Sequence, residues 1–104
     1  MKIKEENGIV LLYDENDKPI YFANEESELA FLRGKYNLCT SEINRIEKLV
    51  VNRGVFGLTD QDRTAYTDAT KMRDLICEYM TKKNIDYGEI DPNTGLIVEG
   101  PIRN

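Results

Sequence analysis

The stretch from Asn24 to Gly54, NEESELAFLRGKYNLCTSEINRIEKLVVNRG, decides the fold, because here the chain passes from strand chemistry to helix chemistry. Asn24 followed by Glu25, Glu26 and Glu28 has the form of a helix start: the Asn side chain caps free amides, and acids in the first turn complement the helix dipole. Leu29, Leu32 and Tyr36 recur at i, i+3 and i+7, which predicts a first helix ending near Asn37 and weakened by Gly34. Thr40 or Ser41 is placed to cap a second helix, with Ile43, Ile46 and Val50 as its stripe and Gly54 as its C′ residue. On this reading Asn37-Leu38-Cys39 joins two helices.

Working outward, Thr59 or Asp60 caps a third helix, in which Ala65, Ala69, Met72, Ile76 and Tyr79 alternate steps of four and three. That stripe spans two heptads and reads as intramolecular core, with a helix-mediated dimer as the other use. Glu78 precedes Lys82 by four residues, Lys82 and Lys83 sit at the negative helix end, and Asn84 ends it. Upstream, Asn7-Gly8 suits a type I′ turn joining Lys2–Glu6 to Ile9–Tyr13. The polar run Asp14–Lys18 makes a second reversal, and Pro19 opens a third strand through Ala23. Ile9 to Leu12 is apolar on both strand faces, as a central strand would be. At the other end, Asp91-Pro92-Asn93-Thr94-Gly95 is turn chemistry between strands Tyr87–Ile90 and Leu96–Val98, and Gly100-Pro101 closes the ordered chain. The expected fold is α+β: an N-terminal three-stranded antiparallel meander, three helices and a C-terminal β-hairpin, with the hairpins of both ends candidates for one sheet.

A length of 104 residues predicts one compact domain over 1–104. The composition, 40% apolar and 32% charged, is that of a folded, soluble chain, and no apolar run reaches the ~18 residues of a membrane helix. The charged start and the five-residue apolar run Ile9–Tyr13 do not make a secretion signal, so the cytoplasm is the expected compartment. Cys39 and Cys77 lack close spacing and read as two small buried hydrophobes.

Catalytic parts are scarce. The chain has no histidine, which removes the usual neutral-pH base and the commonest metal ligand. Ser27 and Ser41 both sit where a helix begins, and Asp60 and Asp62 belong to a helix N-terminus. Asp14, Asn16 and Asp17 superficially resemble a calcium loop, but Lys18 occupies the third ligand position and no glycine follows it. Glu89 and Asp91 could share a strand face, one open to water. Gly54-Val55-Phe56-Gly57 resembles the Gly-x-x-Gly backbone clamp of KH domains in these four residues alone. Its central pair is apolar where the clamp is polar or basic, and the element order differs. It reads instead as a tight interhelical turn with Phe56 and Leu58 plugging the core. No enzyme activity, cofactor or metal is expected.

Charge is segregated. Eight acids and three bases fall in residues 1–30, and five bases with two acids in residues 31–58, on a chain of net charge -5. Arg45, Lys48 and Asn52 fall at i, i+3 and i+7 on one helix face, with Arg33, Lys35 and Arg53 on or beside the same helices. These residues together with Phe56 form the candidate partner-binding set. The expected function is a small non-enzymatic protein-interaction domain, an adaptor, inhibitor or modulator of bacterial or phage type, acting through charged surfaces as a monomer or helix-mediated homodimer. The alternative is a nucleic-acid-binding regulator using residues 31–58, against which a pI near 4.8 weighs. An acidic meander that imitates phosphates is a further use of the N-terminal charge.

Overall fold

The computed structural model describes residues 1–98. Two strands, β1 (Lys2–Glu6) and β2 (Ile9–Tyr13), lead into two long helices, α1 (Glu25–Arg53) and α2 (Asp60–Lys83), and two short strands follow, β3 (Glu89–Ile90) and β4 (Ile97–Val98). The fold is α+β, with the N-terminal and C-terminal hairpins in separate two-stranded sheets. The expectation for Gly100-Pro101 lies outside the described residues.

The first correction concerns the helices. Asn37-Leu38-Cys39 does not interrupt anything: α1 runs unbroken for 29 residues, about 43 Å at 1.5 Å per residue. The two stripes expected as separate helices are in phase. Leu32, Tyr36, Cys39, Ile43 and Ile46 are all buried, at steps of four, three, four and three. Gly34 and Asn37 each cost ~0.5–1 kcal/mol of helix propensity. Packing this seam against α2 offsets that, so tertiary contact overrides a local break. The caps at its two ends are as expected, whereas Thr40 and Ser41 cap nothing: both lie inside the helix, Thr40 buried. Asn24 accepts from the Ser27 amide at 2.8 Å, Glu25, Glu26 and Glu28 lie in the first turn, and Gly54 closes α1 at φ 77.

α2 answers with Ala69, Ile76, Tyr79 and Met80 buried, and Ala65 and Met72 half-buried. It starts in a capping box, with Asp62 N–H donating to the Thr59 hydroxyl at 3.0 Å and Thr59 N–H to the Asp62 carboxylate at 3.2 Å. It ends at Asn84 in the left-handed region. Joined by a short turn, α1 and α2 form an antiparallel hairpin. Leu32 and Tyr36 meet Ile76, Tyr79 and Met80 at the open end, and Cys39 and Ile43 meet Ala69 farther along.

The second correction concerns the meander. β1 and β2 pair from Lys2↔Tyr13 to Glu6↔Ile9, with Asn7 at φ 52 and Gly8 at φ 79 as a type I′ turn requires. The third strand is reduced to one bridge, Tyr13↔Pro19. Pro19 occupies the non-hydrogen-bonded position of that bridge, which is held by Asp14 N–H to the Lys18 carbonyl at 2.9 Å and Ile20 N–H to the Leu12 carbonyl at 2.8 Å. Beyond it Ile20 and Phe22 turn to the core, and Phe22 packs on Phe31 with ring centroids 5.3 Å apart and planes tilted by 56°. β2 is therefore not a central strand: Leu12 is fully buried against the helices while Ile9 is exposed.

The C-terminal hairpin is shorter than expected, two residues per strand, with its turn closed by Gly95 N–H to the Asp91 carbonyl at 2.7 Å. It is fastened to α1 by side chains. The Asn37 amide donates to the Ile97 carbonyl at 2.9 Å and accepts from the Ile97 N–H at 2.7 Å. The Arg33 Nε donates to the Tyr87 carbonyl at 2.9 Å, and Asn44 to that of Thr94 at 2.8 Å. Arg33, Asn37 and Asn44 thus form a polar stripe one residue beyond the apolar seam. The whole is shallow, 47 × 43 × 18 Å, with a Cα radius of gyration of 15.6 Å against ~13 Å for a compact 100-residue domain.

Candidate functional site

The turn between α1 and α2 is where the fold leaves apolar surface open. Among the described residues, strands cover the helices only toward the α1 N-terminus and α2 C-terminus, where Leu12 and Ile97 join the core. Toward the turn the seam loses its cover. Ile46 is buried, Val50 half-buried, and Val51 is 83% exposed. After Gly54 the segment Val55–Gly57 makes a single 3-10 turn that folds back over Arg53. A Cβ on Gly57 would sit 2.8 Å from the Arg53 Cβ, so only glycine permits that approach. Phe56 is thereby turned out of the core and is 99% exposed, with Val55 at 57% beside it. This corrects the expectation that Phe56 plugs the core. Leu58 alone reaches inward, and only in part. Leaving a phenylalanine in water forgoes roughly 1.5–3 kcal/mol of burial.

Beside this tip lies a groove of about 500 Å³ between the helices, lined by Ile46, Glu47, Val50, Val51, Leu58, Arg63, Tyr66 and Thr67. Its floor is apolar, with Glu47 on the α1 side and Arg63 on the α2 side.

The basic residues singled out from sequence separate into two groups. Arg33 is occupied by the Tyr87 carbonyl, Lys35 lies 5.7 Å from the Phe31 ring, and Arg45 pairs with Glu42 at 2.6 Å and Asp62 at 3.5 Å. Those carboxylates, with the Thr59 amide and hydroxyl on Asp62, are held below their usual pKa, and the Arg45 guanidinium above its own. Lys48, Asn52 and Arg53 are exposed near the tip, and among the described residues Lys48 and Arg53 form no ion pair. The structure therefore brings Lys48, Asn52, Arg53 and Phe56 to one end of the molecule and leaves Arg33 and Lys35 toward the other. Val51 and Val55 were missed from sequence. Their signal was present: apolar residues next to Val50 and after the Gly54 cap that the seam spacing does not use.

The N-terminal acids are also largely spoken for. Asp17 sits 2.9 Å from Lys2 and 3.3 Å from Lys4, whose hydrogen bonds and charges lower its pKa, and Glu5 reaches Lys82 at 3.2 Å. Asp14 accepts from the Asn16 and Lys18 amides and closes its own turn. Among the described residues no cluster of three or more Cys, Asp or Glu is arranged to hold a metal ion. Cys39 is buried as expected, but Cys77 is exposed on the outer face of α2.

Among the described residues one titratable cluster is largely buried. Glu28 accepts from the Tyr79 hydroxyl at 2.5 Å and from the Lys83 ammonium at 2.8 Å, tying the start of α1 to the end of α2. Burial pushes the Glu28 carboxyl up, but the two hydrogen bonds and the Lys83 charge outweigh it and hold it below its usual value. Lys83 is raised, first by its hydrogen bond to Glu28, and Tyr79 is raised by burial and then by the carboxylate. The carboxylate's contribution is complete above about pH 4.3 and is lost as pH falls through the lowered folded value. The Lys83 contribution is complete below about pH 10.4 and is lost as pH rises through the raised one. Glu28→Gln should cost about 1–2 kcal/mol at pH 7, less than a fully buried pair because Lys83 remains 34% exposed. Urea denaturation at pH 7 and pH 3 checks this: the gap between variant and wild type should narrow sharply at the lower pH.

No protein-family model matches the chain, and neither a curated protein nor a solved structure is detectably similar to it. No helix among the described residues is long and apolar enough to cross a membrane.

Proposed function

We propose that this chain is a small, non-enzymatic protein-interaction domain of the cytoplasm, an adaptor or modulator that docks through the tip of its helical hairpin. One observation carries the reading: Phe56 is 99% exposed on a turn flanked by Val51 and Val55. A rigid aromatic anchor ringed by polar and cationic side chains is the usual make-up of an interface hot spot. Phe56 would supply the desolvated contact, and Lys48, Asn52 and Arg53 the rim that steers approach and sets orientation. Compared with the charge-led expectation from sequence, the weight moves from cations to the apolar tip.

Nucleic acid is the weaker reading. Phosphate binding depends on several free cations on one face, and Arg33 and Arg45 are already engaged within the fold. Capture from the native host's lysate, with nuclease, separates the two. Phe56→Ser should reduce recovery of the bound protein at least tenfold. Lys48→Ala with Arg53→Ala should slow association and alter salt dependence more than it alters final recovery. Recovery that is indifferent to Phe56 but lost on nuclease or on removal of the two cations would reverse the ranking.

A further inference from the structure

We infer that the partner docked at the helical-hairpin tip is a second copy of this chain, packed face to face over the groove between α1 and α2 about a two-fold axis parallel to that groove. The inference rests on the docking reading above and names its occupant.

The groove is complementary to itself. Its walls carry one charge of each sign, Glu47 from α1 and Arg63 from α2, both exposed. Among the described residues neither belongs to an ion pair, so the groove does not neutralise itself within one chain. A partner segment of uniform charge would meet attraction on one wall and repulsion on the other. A two-fold rotation instead sets each Glu47 against the other copy's Arg63, so both walls are matched by one operation.

Apolar shape follows the same symmetry. Val51 and Tyr66 flank the groove, and Phe56 projects from the tip beside it. With the axis parallel to the groove the two hairpins stack with their tips at the same end, so the two Phe56 side chains meet beside the paired grooves, and the four helices form a bundle at the end that the described strands leave uncovered. A domain normally closes its core with a second layer, and here the missing layer at that end is another pair of the same helices.

Area sets the strength. Val51, Val55, Phe56 and Tyr66, exposed by 83, 57, 99 and 38%, together offer roughly 500 Å² of apolar surface per copy. A standard interface takes ~800 Å² per partner, so with polar rims included the dimer should be reversible, with a Kd of ~1–100 µM.

The test is analytical ultracentrifugation of the full chain from ~1 to ~300 µM, a range that brackets this Kd. Wild type should pass from monomer to dimer across it. Phe56→Asp should be monomeric throughout, with an unchanged far-ultraviolet spectrum and melting temperature because the side chain supports nothing in its own chain. Glu47→Arg and Arg63→Glu should each weaken the dimer at least tenfold, and the double swap should restore it. A wild type that stays monomeric, a dimer indifferent to Phe56→Asp, or a swap that fails to restore association overturns the inference. If wild type is monomeric while Phe56→Ser still abolishes capture of another protein, self-association is overturned and docking through the tip stands. If neither capture nor association responds to Phe56, both fall.

Discussion

Ile76→Ala should lower the free energy of unfolding by about 2–5 kcal/mol, the loss expected when a buried isoleucine leaves a cavity its neighbours cannot fill. Ile76 is 0% exposed and packs in one cluster with Leu12, Leu32, Tyr36, Tyr79, Met80 and Ile97. That cluster is where α1, α2 and both hairpins converge, and none of them can move in without leaving another. A domain of this size has ~5–10 kcal/mol in total, so much of the margin would go. In urea, with a slope of ~1–1.5 kcal/mol per molar, the midpoint should fall by about 2 M. Val51→Ala, at a residue 83% exposed, should leave the free energy of unfolding within ~0.5 kcal/mol of wild type. A small Ile76→Ala effect would mean that the two hairpins do not share a core with the helices.

The second large effect is expected at Asn37, and its sign depends on where it is measured. Asn37→Ala removes both hydrogen bonds to the Ile97 backbone and leaves its amide and carbonyl without partners at a residue only 4% exposed. Two such bonds, one group remaining buried, amount to about 2–3 kcal/mol. The loss should fall on docking of the C-terminal hairpin. Hydrogen exchange of the Ile97 amide should therefore speed up ~30–150-fold, while amides along the α1–α2 seam keep their protection. In an isolated peptide of residues 24–54 the same change should raise helicity, because Ala is a better helix former than Asn by ~0.5–0.7 kcal/mol. Slower exchange at Ile97, or an equal loss over both helices, would show that Asn37 is not the fastening.

Asn37 also marks the limit of what could be read from the chain. As a residue type it belongs at helix ends, and with Gly34 before it and Thr40-Ser41 after it the local evidence points to a break. The evidence for continuity was also in the sequence. Tyr36, Cys39, Ile43 and Ile46 keep the 3-4 spacing across the supposed joint, so one helix buries both stripes on one face. The seam decides because it gains packing at every turn, whereas a poor helix former costs a fraction of a kcal/mol once. Why an asparagine stands there is answered only by Ile97, 60 residues away.

Pro19 shows the converse. Its strand was expected to run through Ala23, but pairing with β2 stops after the Tyr13↔Pro19 bridge and the Ile20 N–H to Leu12 bond, and Phe22 packs on Phe31 instead. The tip was half legible. Phe56 stood among the candidate contact residues and was also expected in the core, since hydrophobicity alone does not say which way a short turn faces.

By itself the sequence determined the outer helix caps, the turns of the two hairpins and the phases. Asn24, Thr59 and Asn84 bound the helices, Asn7-Gly8 and the Asp91–Gly95 turn make the hairpins, and the 3-4 stripes set which helix faces meet. These depend on neighbours within a few residues, where hydrogen-bond geometry and side-chain periodicity act directly. The tertiary structure alone decided that α1 is continuous, that Arg33 and Asn37 serve the C-terminal hairpin, that Asp62 joins Glu42 on Arg45, and that Phe56 faces water. Each depends on which groups distant in sequence arrive at the same place, and burial and pairing energies are settled only there.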